Sequence, residues 1–464
     1  MKQGYDSCFN EPRFYFFDSG GFDTMYDKES VLEFVEQNDV KFIRLAFCDM
    51  FGTLKNISIN ARELKRAFEE GISFDASSVK GFMNVAKSDL LLFPDPNTIT
   101  ILPWRPQSGR VVRFYCEIKH PDGSIFEGDC RYLLKMSEEE CESMGFSPKI
   151  GSECEFYLFQ RDEHGKPTKN PHDEAGYFDV APLDAGENVR REICLNLEEM
   201  NITPEASHHE AGPGQNEVDF KYDTALSAAD NLISFKSCVK AVAIQNGLFA
   251  SFMAKPLPKE SGSGLHINLS LSKNDRNIFV NDYNDMEEEQ KFFIAGILNR
   301  AKEMSVVLNP TTNSYHRLGN KKAPKYITWS KENRSQLIRI PAATSREYSR
   351  IEVRQADPSA NPYLAYTLLL RAGLEGIKNK EELQEPCNRN LYEYEGYEYD
   401  VLPSSLKEAC ELFEQSDFIK SILPSEMISH YLEVKYQECH ELEQIVNKNL
   451  SIETFEDDKY FNFI

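Results

Sequence analysis

Glu153 and Glu155 are separated by one residue inside the run Ser152-Glu153-Cys154-Glu155-Phe156-Tyr157-Leu158. In a strand, residues i and i+2 share a face, so the two carboxylates lie side by side and repel unless a cation sits between them. Related segments recur. Glu210 precedes the loop Ala211-Gly212-Pro213-Gly214, and Glu217 opens Glu217-Val218-Asp219-Phe220. His266-Ile267-Asn268-Leu269-Ser270 and Arg350-Ile351-Glu352-Val353-Arg354 alternate polar with apolar residues, and Arg339 interrupts the core-like Leu337 to Ile340. Any one of these strands could simply turn its polar face to water. Together they do not fit that description, because a solvated face favours Thr, Lys and Ser over bare Glu between large apolar neighbours. Five carboxylates and one imidazole make two oxygen-rich sites suited to Mg²⁺ or Mn²⁺. No thiolate pair or His-Glu-x-x-His motif points to zinc. Arginines among the ligands would face an anion bridging the ions, and that combination points to phosphoryl chemistry by an ATP-using ligase or kinase.

The common phosphate loops are absent: there is no Gly-x-x-x-x-Gly-Lys-Ser/Thr and no Gly-x-Gly-x-x-Gly. Gly262-Ser263-Gly264 reads first as a turn, although ahead of His266 it would let backbone amides approach a ligand. His208 and His209 are read as supports of the site or as filling, and Trp104 and Trp329 as core.

These side chains must be carried by a mixed α and β chain. Residues 1–25 show no period and read as an N-terminal extension. Lys28 to Asn38 is a short amphipathic helix, Val40 to Phe47 and Leu54 to Ile59 are strands around an Asp49-Met50-Phe51-Gly52 turn, and Ala61 to Gly71 is a helix stopped by glycine. With the strand Val111 to Ile118 they predict a small unit over 26–115. A larger unit over 116–464 carries helices at Arg131 to Met144, Glu187 to Met200, Ala225 to Asn246, Glu287 to Leu308 and from Pro362 to about Gly376. The acidic remainder from Glu381 is read as mostly helical.

Composition narrows the class. Over 464 residues, 52 Lys and Arg against 75 Asp and Glu give a net charge of −23. With no basic stripe longer than a few residues, this excludes a nucleic-acid partner. No apolar run approaches the ~18 residues that span a bilayer, and no signal peptide is expected. Eleven cysteines without a Cys-x-x-Cys pair predict reduced thiols and a cytoplasmic location.

From about Glu36 to Asn379 the chain resembles the glutamine synthetase family, prokaryotic class I. The resemblance is carried by Phe178-Asp179-Val180-Ala181-Pro182, Ala206-Ser207-His208-His209-Glu210, Pro213-Gly214-Gln215-Asn216-Glu217, Asn313-Ser314-Tyr315, Asn333-Arg334-Ser335 through Ile338-Arg339-Ile340-Pro341, and Asp357-Pro358 to Asn361-Pro362-Tyr363-Leu364. It implies an α+β fold, with a β-grasp domain followed by a catalytic domain of antiparallel strands and flanking helices. It also implies two stacked hexameric rings (a dodecamer) with active sites shared between neighbours. By motif, Glu155, Glu210 and Glu217 would hold one metal, while Glu153, His266 and Glu352 would hold the other. Arg334, Arg339 and Arg350 would contact the phosphates of ATP, with Glu205, Tyr222 and Ser270 near the nucleotide. Arg317 and Arg354 would clamp the L-glutamate carboxylate beside Gly262. Asp49 of an adjacent subunit would reach the ammonium site next to Tyr177. The implied reaction joins ammonia to the γ-carboxylate through a γ-glutamyl phosphate.

The chain departs from the family where that ammonium site is built. After Arg317-Leu318 the family continues Val-Pro-Gly-Tyr-Glu-Ala-Pro, whereas here Gly319-Asn320-Lys321-Lys322-Ala323-Pro324 is one residue shorter. Lys322 therefore stands at the position of a glutamate that helps to form the ammonium pocket, and a cation there repels ammonium. Ser261 replaces an Asn expected to touch glutamate, and Asn84 replaces an Arg linked to feedback inhibition. The segment Ala342 to Ser349 is one residue longer than usual, and the usual adenylylation-site context is missing after Asn390-Leu391-Tyr392. The tail ending Tyr460-Phe461-Asn462-Phe463-Ile464 follows no familiar pattern. Three functions remain open at this point: ammonia ligation, ligation of an organic amine to glutamate, and a non-catalytic regulatory paralogue.

Overall fold

The computed structural model describes residues 26–82, 88–280, 282, 285–320 and 322–464. The expected extension over 1–25, and Asn84, lie outside them. Helix α1 (Lys28–Gln37) begins where the Asp27 carboxylate accepts from Ser30 N. Strand β1 (Val40–Cys48) turns at Asp49–Gly52 into β2 (Leu54–Asn60). Gly52 has φ +79° and a Cβ there would lie 2.9 Å from Asn361 Cα, so both conformation and close approach require glycine. Helix α2 (Leu64–Glu70) follows, then β3 (Ile72–Asp75), β4 (Asp89–Pro94), β5 (Thr100–Ile101) and β6 (Arg110–Lys119). They form a sheet in the order β2-β1-β6-β4-β3 with β5 on β6. Ile43, Leu45 and Phe47 of β1 and Val112, Phe114 and Cys116 of β6 alternate into one apolar core with Val31 of α1 and Leu64 and Phe68 of α2.

The second unit opens with α3 (Cys130–Ser143) and is organised around the long strand β7 (Ser147–Arg161). Then come β8 (Pro167–Pro171), α4 (Glu187–Glu199), β9 (Pro204–His209), β10 (Gln215–Phe220), α5 (Ala225–Gln245), β11 (Leu248–Ser251), β12 (Leu265–Lys273) and β13 (Arg276–Asn277). Helices α6 (Glu288–Arg300), α7 (Ser305–Leu308) and α8 (Ser314–Arg317) lead to β14 (Trp329–Lys331), β15 (Ile338–Ile340), β16 (Ile351–Val353) and α9 (Pro362–Asn379). The chain ends with α10 (Leu406–Gln415), α11 (Asp417–Ile422), α12 (Ser425–Asn447) and α13 (Ile452–Glu456). The sheet order is β14-β15-β16-β12-β7-β10-β9, with β8 and β11 on β7 and β13 on β12. Apart from the parallel β14–β15 pair its ladders are antiparallel.

Alternation along this sheet places the site. Cys154, Phe156 and Leu158 of β7, Val218 and Phe220 of β10, and Leu265, Ile267 and Leu269 of β12 pack with Phe235 and Val239 of α5 and Tyr363 and Tyr366 of α9. Burying each large side chain contributes about 2 kcal/mol. A register slip of one residue would put carboxylates into that core, so the apolar face fixes which way the charges point.

Two expectations change. The helix predicted over Glu287 to Leu308 is broken: after Arg300 the Ala301 carbonyl accepts from Gln355 Nε2 (3.2 Å) and Ser305 Oγ (3.0 Å), and a tighter turn intervenes before α7. The stretch from Glu381 to Ser405 is irregular apart from a 3₁₀ turn at Leu391–Glu393. It runs along the β14 edge instead, where Cys387 N donates to Trp329 O and Trp329 Nε1 to Gln384 O. Its Pro386, Pro403 and Asx residues disfavour helix.

All ten described cysteines are free thiols, and no helix among the described residues is long and apolar enough to cross a membrane.

Candidate active site

On the face away from the core, register builds rows of polar residues. Glu153 lies opposite His266 on one side and Asp219 on the other; Glu155 lies opposite Glu217, and Glu217 opposite His208. Glu352 pairs with Asn268 and with Arg339.

The first cluster is Glu153, His266 and Glu352, whose ligand atoms all come within 4.8 Å of one another. His266 Nδ1 is 3.3 Å from Glu153 Oε2 and 3.5 Å from Glu352 Oε1. Asn268 Nδ2 donates to Glu153 Oε1 (2.9 Å), and its Oδ1 accepts from Arg350 Nε (2.9 Å). Arg339 Nη1 and Arg354 Nη1 each donate to Glu352 at 2.7 Å. Burial opposes ionisation of Glu153, but His266, Asn268 and Arg350 outweigh it and hold the carboxyl at about 2. Burial likewise opposes ionisation of Glu352, and Arg354 and His266 overcome it and keep the group below its ordinary value.

The second cluster is assembled differently. His208, Glu210 and Glu217 meet within 4.8 Å. Glu155, the third expected ligand, is next to Glu217 on the ladder, but its Oε2 accepts from Gln215 Nε2 (2.8 Å) and Gly264 N (3.0 Å). Burial, then Glu155 and Asp219, drive the Glu217 carboxyl well above its ordinary range. Burial and Glu210 push Glu155 up against the opposing pull of His266, and burial with Glu153 lifts Asp219 to about 7. Lys322 Nζ is 3.6 Å from Glu210 Oε2 and 4.6 Å from the centre of the Tyr177 ring. Hard oxygen donors crowded this closely call for a cation, and the donor set fits Mg²⁺ or Mn²⁺.

His208, read from sequence as support, is thus placed among the ligand atoms of this cluster, its ring 4.7 Å from that of Phe178. Its neighbour His209 does support the site. It is fully buried, and its Nε2 is 2.8 Å from Asp173 Oδ1, which also accepts from Gly214 N (2.9 Å). Burial works against the Asp173 charge, yet His209 and the Gly214 and Ala185 amides hold it at about 2. Asp184, the third member of that group, is paired with Arg190, so protein partners already satisfy it.

Beside the first cluster a cleft of about 210 Å³ is lined by Glu153, Glu205, Tyr222, Ser270 and Arg350, together with Tyr348 and Ser349. The last two were missed, because the lengthened 342–349 segment carries no periodic signal. Arg339 reaches Glu352, whereas Arg334 is exposed and does not line the cleft.

Arg317 and Arg354 are both 3% exposed. Arg317 donates to the carbonyls of Gln355 (2.9 Å) and Arg354 (3.3 Å). A Cβ on Gly262 would lie 2.9 Å from Arg317 Cγ and 2.7 Å from Ala254 O, and one on Gly264 would lie 2.9 Å from Arg317 Nη2. Both turn glycines thus allow backbone to press on the arginine. Arg354 Nη2 donates to Lys322 O (3.3 Å), and its Nε is buried without a partner among the described residues. Tyr392, which sequence reading did not connect to the site, has its Oη 2.6 Å from both Lys322 O and Arg334 O. Tyr177 is half-exposed and stacked on Phe178. Asp49 is buried in its own turn, where Oδ1 accepts from Phe51 N and Thr53 N and Oδ2 is 3.6 Å from Lys55 Nζ. These partners belong to the β1–β2 turn and the start of β2.

Family models describe the same two parts: glutamine synthetase, beta-Grasp domain, over residues 39–121 and glutamine synthetase, catalytic domain, over 127–452. The glutamine synthetase of Clostridium saccharobutylicum is 45% identical over 440 residues, 91% of this chain and 99% of that protein. That of Methanosarcina mazei is 46% identical over 428 residues, 90% and 96% of the two chains. Among solved structures, a GmaS–ADP complex superposes with a TM-score of 0.82 at 28% identity, covering 92% of this chain and 98% of that one. The Plasmodium falciparum glutamine synthetase has a TM-score of 0.82 at 26% identity, covering 95% and 99%. With carboxylates, arginines and cleft sharing one face of a sheet of this topology, the chain belongs to the glutamine synthetase family.

Proposed function

We propose that the protein ligates ammonia to the γ-carboxylate of L-glutamate at the expense of ATP. The observation that carries this reading is the sheet face shared by both carboxylate clusters with Arg339, Arg350 and Arg354, next to a cleft that Glu153 and Arg350 line. Glu205, Tyr222 and Ser270 line the nucleotide's place, and Arg350 in the cleft and Arg339 beside Glu352 meet its phosphates. Glu153, His266 and Glu352 would hold one divalent ion and Glu155, Glu210 and Glu217 another, with His208 beside them; such ions offset phosphate charge. Arg317 and Arg354, with Gly262, hold glutamate so that a γ-carboxylate oxygen attacks the γ-phosphorus. The bond to the ADP oxygen breaks and an acyl phosphate forms. Ammonia then attacks the acyl carbon, inorganic phosphate leaves, and a carboxylate accepts the nitrogen's proton.

Asp49 of a neighbouring subunit serves that last step beside Tyr177, in an assembly of two stacked hexameric rings. The exposure of Phe178, Val180 and Leu183 (59%, 72% and 64%) supports an interface there. Free thiols support a cytoplasmic setting.

One observation favours a second reading, in which an organic amine with an anionic group replaces ammonia. Lys322 Nζ stands over Tyr177 and beside Glu210, where its charge repels an ammonium ion and would pair with an anionic group on the amine. The test is phosphate release from Mg-ATP and glutamate with ammonium or with a panel of amines. Turnover with ammonium supports the main reading, and turnover confined to one amine transfers the assignment. Silence in protein that binds ATP sinks both. Lys322→Glu sharpens the outcome: a modest change is expected for an ammonia ligase, and newly gained ammonia use for an amine ligase.

A further inference from the structure

The C-terminal tail, unmatched to any pattern in sequence, is tied to the turn that carries Arg317. Tyr460 and Phe461 are buried, the Phe461 ring lies 5.2 Å from that of Phe159 on β7, and Phe252 N donates to Ile464 O (3.1 Å). Glu456, at the end of α13, is 3% exposed. Its Oε1 accepts from Thr312 Oγ1 (2.9 Å) and is 3.2 Å from His316 Nε2, while Oε2 accepts from Asn313 Nδ2 (2.9 Å). All three partners fall within the five residues before Arg317. A buried carboxylate is costly unless its hydrogen bonds are made, so these contacts hold the turn firmly.

The same turn grips the segment behind Gly262. Asn313 Oδ1 accepts from Lys255 N (2.7 Å), its Nδ2 also donates to Lys255 O (3.1 Å), and the adjacent Ala254 O accepts from Ser263 N (2.8 Å). Glu456 therefore stands behind two surfaces that close on each other, Arg317 on one side and the Gly262–Gly264 turn on the other.

We propose that Glu456 is a positioning residue for the amino-acid substrate: through Thr312, Asn313 and His316 the tail sets Arg317 against the Gly262 turn, so that the tail governs glutamate affinity. This rests on the reading that Arg317 binds the glutamate carboxylate. The experiment compares full-length Glu456→Ala, Thr312→Val and Arg317→Lys with the parent, measuring kcat, the KM values for glutamate and ATP, and thermal unfolding with Mg²⁺ present. Glu456→Ala is expected to raise the glutamate KM about tenfold, with kcat and the ATP KM within about twofold of the parent. Thr312→Val, which removes one contact at nearly constant volume, should move the glutamate KM the same way by about threefold and decides the question if Glu456→Ala does not fold. An unchanged glutamate KM in these two variants, with a raised one in Arg317→Lys, overturns the role of the tail alone. An unchanged KM in Arg317→Lys overturns the underlying reading of Arg317. Equal losses in kcat, both KM values and melting temperature make Glu456 merely structural and also overturn the proposal.

Discussion

Glu153 and Glu155 are two residues apart on one strand, yet they belong to clusters with opposite electrostatics. Around Glu153 and Glu352 the protein supplies its own cations: Arg339, Arg350 and Arg354 converge with His266, and the two carboxylates stay ionised despite burial. Around Glu155 and Glu217 the near charges are mostly negative, the carboxyls are driven up, and Lys322 is the cation that reaches Glu210. The difference teaches which half of the site is preformed. The arginine-rich cluster keeps its geometry by salt bridges and hydrogen bonds within the fold, whereas the acidic cluster is incomplete electrostatically until a positive charge arrives.

The contrast can be broken at several points. The largest effect is expected from Glu217→Gln, which removes a charge the acidic cluster uses to hold its ion; glutamate- and ammonium-dependent phosphate release should fall by on the order of 10³-fold. Near-parental turnover in that variant would remove the second cluster from the chemistry. Next comes Asn268→Ala, which leaves every expected ligand in place but releases Glu153 and Arg350 from their shared partner. Activity or metal affinity should drop about 10–100-fold, and no change would mean that the arginines alone preform the first cluster. Lys322→Met takes away the competing cation, so Mn²⁺ should bind about tenfold more tightly by titration calorimetry; weaker binding would show that Lys322 helps to shape the site.

The smallest expected effect concerns pH in chelator-treated protein. The Asp219 carboxyl, at about 7 against an ordinary 3.8, keeps a proton in the fold that the unfolded chain has released. Its presence therefore costs stability progressively as pH rises from about 4 to about 7. Glu153, at about 2 against 4.5, contributes stability that is complete above the ordinary value and lost as pH falls toward 2. The melting temperature of the metal-free protein should decline by a few degrees between pH 4 and 7, less so in Asp219→Asn or with Mg²⁺ added. A flat profile in the chelator-treated parent would erase the contrast between the clusters.

Much of this site could be read in the sequence because its ligands are carried by strands. A period of two, interrupted by charge, marks the right face at Glu153, Glu155, Glu217, His266 and Glu352 before any register is known. Lys322 was legible only by comparison with a family pattern, and its approach to Glu210 and Tyr177 came from the fold. What sequence reading could not supply were partners chosen by distant folding. His208 joins Glu210 because β9 pairs with β10 in one particular register, Tyr392 meets the Lys322 carbonyl across 70 residues, and Glu456 meets Thr312 across 144. The expected long helix after Glu287 failed for the same reason, since the carbonyl that ends it is claimed by Gln355, more than 50 residues onward.

The docking of Glu456 behind Arg317 also bears on the order of synthesis. Residues 312–317 leave the ribosome more than 130 residues before Glu456, which clasps them, and Phe252 likewise precedes its partner Ile464. The sheet and both carboxylate clusters can fold while the chain is still attached. The substrate turn is locked only once Glu456 has been made, so a shorter nascent chain would carry its charges in place and still lack a finished seat for the amino acid.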